Sequence, residues 1–250
     1  MTKMDVQIGS WITLHHMAIA EIMAGAGFQW LCLDLEHSVI DYYGMQVMLS
    51  SIQSKGVQAY VRVGGNDAMM IKRVLDAGAD GIICPMINTA EQAKQLVAHV
   101  KYPPLGTRGV GLARAQYYGL DEGFEKYRES KAREIQIIAQ IEHHEAISNL
   151  QSILDVDGID GTFIGPYDLS GSMGKPGQYE DADVQAQIEQ YEKLASGSGK
   201  KMGFHVIQPQ AQLLQDKINK GYNFIAFSID TLFLGQSCRQ EMNKLKTIIL

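Results

Sequence analysis

The chain has 250 residues, 46% hydrophobic and 20% charged, which is the composition of an ordinary soluble globular protein. Lys plus Arg number 22 against 28 for Asp plus Glu, a net charge of −6 with no basic tract, which excludes nucleic acid and anionic membrane as natural partners. No run reaches the ~18 apolar residues of a membrane span, and MTKMDVQIGSW has no apolar signal core, so the cytoplasm is the expected compartment.

Apolar, β-branched runs alternate with helical patterns along the whole chain. Strands are expected at 7–14, 30–36, 58–63, 81–86, 134–142, 161–166, 201–207 and 224–230. Between them, helices are expected at 17–26, 41–55, 67–77, 89–100, 144–155, 181–197 and 209–220, with a closing helix from 231. Gly27, Gly56, Gly78 and Gly221 stand just past helix ends, and Asp67, Thr89 and Asp230 stand where caps belong. Eight strands each followed by a helix favour a (β/α)8 TIM barrel over an open sheet, with residues 1–250 forming one domain. The one long connection, 101–133, is expected to be a lid or an oligomer contact. Cys32 and Cys84 lie in strand-like runs and Cys238 on a helix, so buried free thiols in a reducing compartment are expected.

In a closed parallel barrel all strand carboxyl ends open onto one mouth. Four such ends carry chemistry: Glu36-His37, Arg62, Glu142 and Asp168. Glu142 and Asp168 end neighbouring strands, whose axes lie about 4.8 Å apart, so their oxygens can share a hard divalent ion. Helix capping is the bland alternative, and it explains an Asp well and a Glu poorly. Arg62 reads either as an outward Arg bridging to a helix or as an inward clamp on an oxyanion, and the clamp is preferred. His37, beside carboxylates at the mouth, is a candidate general base. His15, His16, His143, His144 and His205 compete with it; His143 and His144 also suit a helix start. No Lys stands near a strand's carboxyl end, since Lys201 opens its strand, and a Schiff base inside the barrel is thereby disfavoured. GTRGVG (106–111) matches no phosphate-loop pattern and reads as a lid turn, with Arg108 as a possible carboxylate contact.

The segments DLEHS, YVRV, KRVLDAGADGIICPM, YPPLGTRGVG, QIE, GIDGTFIGPYDLSGSMG and IDTLFL run in order over nearly the whole chain. Together they resemble the HpcH/HpaI family of class II 2-oxo acid aldolases. The resemblance implies a (β/α)8 barrel, usually hexameric, whose last helix is exchanged between neighbouring subunits. It implies Glu142 and Asp168 as ligands of Mg2+, Mn2+ or Co2+, His37 as base and Arg62 as enolate stabiliser. Gln140 and the backbone at Tyr167 and Asp168 would hold substrate, and Asp76 would pair with the base. In its own barrel Asp76 falls late in the third helix near the far face, so only a neighbouring subunit could bring it to a mouth. The chain departs from the best-known members at His143, in the stretch LARAQYYG and at His205, where they carry an aliphatic residue.

The expected activity is therefore metal-dependent cleavage of a 4-hydroxy-2-oxo acid to pyruvate, or a close relative, and an aldehyde. Oxaloacetate-type decarboxylation and acyl-CoA lysis would use the same enolate chemistry, although no basic cluster awaits CoA phosphates. A non-catalytic metabolite-binding barrel is the alternative of a different class, and the full set Glu142, Asp168, Arg62 and His37 argues against it.

Overall fold

Eight parallel strands pair in sequence order and close into a ring in a computed structural model, which describes residues 5–120 and 123–249. In chain order the elements are β1 (Gln7–Ile12), α1 (Met17–Ala24), β2 (Trp30–Asp34), α2 (Tyr42–Ser54), β3 (Gln58–Arg62), α3 (Ala68–Asp76), β4 (Gly81–Cys84) and α4 (Ala90–Val100). A 3-10 turn (Arg114–Gly119), α5 (Gly123–Glu129) and α6 (Lys131–Glu134) lead to β5 (Gln136–Ile141). Then follow α7 (His144–Ser148), α8 (Leu150–Leu154), β6 (Gly161–Ile164), α9 (Pro166–Ser172), α10 (Ala182–Gly197), β7 (Lys201–Val206), α11 (Ala211–Asn219), β8 (Phe224–Ile229) and α12 (Asp230–Ile249).

Period-two alternation divides the buried side chains into two cores. Leu31, Leu33, Val61, Ile82 and Ile137 pack outward against the helices, while Trp30, Cys32, Tyr60, Phe163 and Phe224 fill the ring. Large rings inside require small residues opposite them. Trp30 stacks on Phe224 with centroids 4.1 Å apart, and a Cβ on Gly9 would stand 2.0 Å from the Trp30 ring. Lys201, first residue of β7, lies at the end of the ring away from the strand carboxyl ends, with Nζ 3.2 Å from the Tyr60 hydroxyl and 5.0 Å from the Phe224 centroid.

The expected helix signals operate. Asp67 accepts the Met70 N–H, Thr89 and Gln92 form a reciprocal cap, and Gly27, Gly56, Gly78 and Gly221 all take positive φ. Asp230 does something else. Its carboxylate accepts the N–H groups of Thr13 and Leu14 at 2.9 and 2.7 Å and the Thr13 hydroxyl at 2.9 Å, tying the β1–α1 loop to β8. The expected helix over 144–155 is two short helices meeting at Asn149. Strand ends are trimmed wherever the chain bends off the ring, and α6 takes Glu134 from the start expected for β5. Cys32 and Cys84 are buried and free as expected, but Cys238 on α12 is exposed.

Segment 101–133 is not a lid over its own mouth. α4 runs back along the barrel, so the chain after Val100 starts at the face opposite the strand carboxyl ends, and its described residues stay there until β5. Near its end, β8 is distorted. Ser228 has φ of +55°, the pairing with β1 shifts between Gly9 and Trp11, and Ile229 joins the ring interior.

Placing a methyl group on Gly9 should overpack the ring. Gly9→Ala is expected to cost about 1–3 kcal/mol, measured as a lower denaturation midpoint in urea.

Candidate active site

The site is built outward from Asp34, the last residue of β2 and 1% exposed. In register it faces Arg62 at the end of β3. Oδ1 accepts from Arg62 Nε at 2.9 Å and Oδ2 from Nη2 at 2.6 Å, a two-pronged charged pair. Oδ1 also accepts the N–H groups of Glu36 and His37, fixing the turn after β2. The Arg62 guanidinium lies over the Trp11 ring, 4.5 Å from its centroid. Burial, the largest single influence, works against its charge, but the hydrogen bonds and charge of Asp34, with that of Glu36 and other neighbours, together outweigh it and hold the guanidinium protonated. Arg62 thus points into the ring rather than out to a helix.

Glu36 connects this pair to the remaining groups. Its Oε2 lies 3.3 Å from Arg62 Nη1 and 3.6 Å from His37 Nε2, yet makes no hydrogen bond although buried. Burial raises the Glu36 carboxyl above its ordinary range; Arg62 opposes this and the nearby Glu142 charge reinforces it. Glu142 follows β5 and is 4% exposed. Its Oε1 accepts the Met86 N–H at 2.8 Å, and Oε2 accepts from the Gln140 amide. Gly165 leaves room for it, since a Cβ there would stand 3.2 Å from Glu142 Oε2. The chain then turns into α9, where Tyr167 and Asp168 form the exposed first turn.

A cavity of about 600 Å³ opens at this mouth, lined by Trp11, Arg62, Gln140, Tyr167, Asp168 and His205 among others. A second cavity of about 770 Å³ lies at the opposite face beside Asp80, Arg114 and Tyr117 and contains none of the expected site residues. The strand ends therefore bring Arg62, Gln140, Tyr167 and Asp168 to one cavity, with Glu142 bonded to Gln140 and His37 exposed at the rim.

Asp76 is apart from them. It ends α3 at the opposite face and accepts from Arg108 Nη2 at 2.7 Å and from Gln116 Nε2 at 3.0 Å, so it is neither merely solvated nor near His37 of its own barrel. Arg108 is not a substrate contact in this barrel either. It is 3% exposed, donates to Tyr127 and packs over the Tyr102 ring. Of the competing histidines, His16 and His143 cap α1 and α7, His144 contacts Ser172, and His15 lies 3.8 Å from Asp41. His205 alone among these five lines the mouth cavity.

Sequence reasoning did not select Asp34 or Trp11 as site residues, and it named Glu36 at the mouth without giving it a role. The usable signal was alternation, because Asp34 continues the inward series Trp30, Cys32 and ends level with Arg62.

The pocket also tests for a cation. Asp34, Glu36 and Glu142 are turned toward the ring with Asp168 at its edge, against the single guanidinium of Arg62. Among the described residues Glu142 has no ion-pair partner, and no three acidic, His or Cys side chains form a ready-made ligand set. Excess buried negative charge with an orphaned Glu36 oxygen fits an added cation whose shell is completed by substrate or water.

The sequence profile of the HpcH/HpaI aldolase/citrate lyase family matches residues 7–236. The chain belongs to this family. A relative from Klebsiella pneumoniae subsp. pneumoniae, named 2-keto-3-deoxy-L-rhamnonate aldolase, is 37% identical over 245 residues, covering 97% of this chain and 90% of the relative. One from Salmonella dublin, named 4-hydroxy-2-oxo-heptane-1,7-dioate aldolase, is 40% identical over 232 residues, covering 92% and 86%. The crystal structure of an HpcH/HpaI aldolase/citrate lyase family protein from Burkholderia cenocepacia J2315 superposes with TM-score 0.90 at 27% identity, covering 97% of this chain and 95% of that one. The HpcH/HpaI assignment and the closed barrel agree throughout.

Two measurements probe this HpcH/HpaI pocket. Asp34→Ala leaves a buried guanidinium without its main partner and should cost about 3 kcal/mol in urea unfolding. Burial, helped by the Arg62 charge, lowers the His205 imidazole to about 4, with the Ser228 carbonyl and Asp34 opposing. The folded value is below the unfolded one near 6.5, so the unfolded chain takes up the proton first. Stability from the neutral ring is complete above the unfolded value and lost as pH falls through the window toward 4. The urea midpoint of the native protein should therefore drop relative to His205→Leu as pH is lowered across that window.

Proposed function

We propose that the protein is a divalent-metal-dependent aldolase that cleaves a 4-hydroxy-2-oxo acid to pyruvate, or a close 2-oxo acid, and an aldehyde. The carrying observation is a buried carboxylate, Glu142, lacking a cationic partner among the described residues, in a barrel whose Arg62 is already locked by Asp34. Family membership and the names of its relatives support the same chemistry.

Glu142 and Asp168 would hold the ion, Mg2+, Mn2+ or Co2+. When bound, it supplies Lewis acidity toward the 2-oxo acid. The chain's own groups do the rest. Gln140, whose Nε2 has a second N–H beyond the one given to Glu142, and the backbone at Tyr167 and Asp168 bind the 2-oxo acid half. His37, oriented by the Asp34-fixed turn and the Glu36 carboxylate, takes the proton of the 4-hydroxyl at its ring nitrogen. Cleavage moves an electron pair from the breaking carbon–carbon bond into the departing enolate. Arg62 meets that charge without reorganising, because its donors are already fixed.

The same reading extends to assembly and place. Every described side chain from Ser237 to Lys246 on α12 is exposed, including Met242 at 54%. α11 buries no residue, and Ile22 of α1 is 68% exposed. A homo-oligomer, a hexamer with α12 exchanged, would cover these surfaces and offer Asp76 to a neighbour's His37. Free Cys32 and Cys84 suit a reducing cytoplasm.

Exchange of pyruvate methyl protons in deuterated water tests the reading. Exchange should require a divalent ion, stop on chelation and fall at least 100-fold in Glu142→Gln, with loss of ion binding by calorimetry. A Glu142→Gln variant that binds the ion at full affinity would overturn the ligand assignment.

A further inference from the structure

His205 supplies the mouth with a feature that the aldol chemistry itself does not use. It is the fifth residue of β7 and alternates inward with Lys201 and Gly203. Its ring meets Trp11 edge-on, with centroids 6.0 Å apart, and lines the same cavity as Arg62 and Gln140. Nε2 lies 3.1 Å from the Ser228 carbonyl oxygen. A carbonyl only accepts, so Nε2 carries the proton and the ring is fixed in one tautomer. Ser228 holds that carbonyl in place twice over. Its left-handed φ of +55° bends β8, and the Ser10 hydroxyl donates to the same oxygen at 3.1 Å. The other ring nitrogen, Nδ1, has no hydrogen-bond partner among the described residues and is left as an acceptor.

An acceptor is the wrong group for pyruvate, whose carboxylate and ketone oxygens are acceptors themselves. It suits an O–H donor. In a 4-hydroxy-2-oxo acid the donors belong to the half that leaves as the aldehyde. With the 2-oxo acid half taken by Arg62, Gln140 and Asp168, the wall of β7 remains for that second half. A ring kept neutral by burial is also too weak a base to compete with His37 for the 4-hydroxyl proton.

We propose that His205 is a specificity-determining residue whose Nδ1 accepts a hydrogen bond from a hydroxyl on the aldehyde half of the substrate, so that 2-hydroxyaldehydes are preferred over their deoxy counterparts. This rests on the aldolase reading above and assigns the class of its second substrate.

The test is aldol addition of pyruvate to glycolaldehyde and to acetaldehyde, read as the ratio of the two kcat/KM values in the ion-loaded full-length enzyme. His205→Leu should lower that ratio about tenfold, the size expected for loss of one net hydrogen bond. His205→Asn, whose amide oxygen can stand near the Nδ1 position, should recover part of it, which a purely structural role would not do. A ratio within twofold of the native value in His205→Leu overturns the proposal, as does an equal loss of ratio in both variants. Pyruvate methyl exchange in the native enzyme separates the two levels. Its presence with an unchanged ratio refutes the role of His205 alone, while its absence refutes the aldolase reading and this inference with it.

Discussion

The hydrogen bonds by which β8 pairs with β1 are the constraint on which every functional contact depends. Closure sends eight strand ends to one mouth, so Trp11, Arg62, Gln140 and His205, far apart in the chain, line one cavity. It also obliges the ring to be filled, which explains why Gly9 faces Trp30 and why Phe224 can stack on that indole. The seam is not uniform. Asp230 laces the start of the chain to its last strand through three hydrogen bonds, and Ser228 bends that strand so that Ile229 completes the lining.

Within the mouth, charge is arranged in an unbalanced way. Asp34 takes the Nε and Nη2 sides of Arg62, leaving Glu36 and Glu142 to share what attraction remains. Such an arrangement is unfavourable to the isolated fold and useful to a site that receives a cation and an anionic substrate. The Arg62 donors are fixed before substrate arrives, by a carboxylate that is itself 1% exposed.

Much of this was legible in the sequence, for reasons that differ by element. Strands and helices showed themselves because buried parallel strands are nearly continuous apolar runs, and because Gly27, Gly56 and Gly78 mark helix ends where only a left-handed residue fits. Arg62 and Asp168 could be placed at the mouth because barrel topology converts strand-end position into location, and both line the cavity there; Gln140, which lines it too, entered only through the family resemblance. Asp34 was passed over since its role lies in cross-strand register, which no single segment displays. Arg108 was misplaced because a Gly-rich loop with an Arg looks alike at either face; only the direction of α4 decides, and it puts that guanidinium beside Asp76. Asp230 sits where a cap belongs, yet its principal partners are some 217 positions away in the chain.

The packing of Lys201 against Tyr60 and Phe224 has a consequence for traffic. With Trp30, Tyr60 and Phe224 wholly inaccessible, the ring is stoppered at its lower end and forms a flask, not a pipe. Whatever enters must depart by the same neck. A molecule lodged deepest is therefore hemmed in by one that follows it, and solvent can reach the reacting carbons from a single direction.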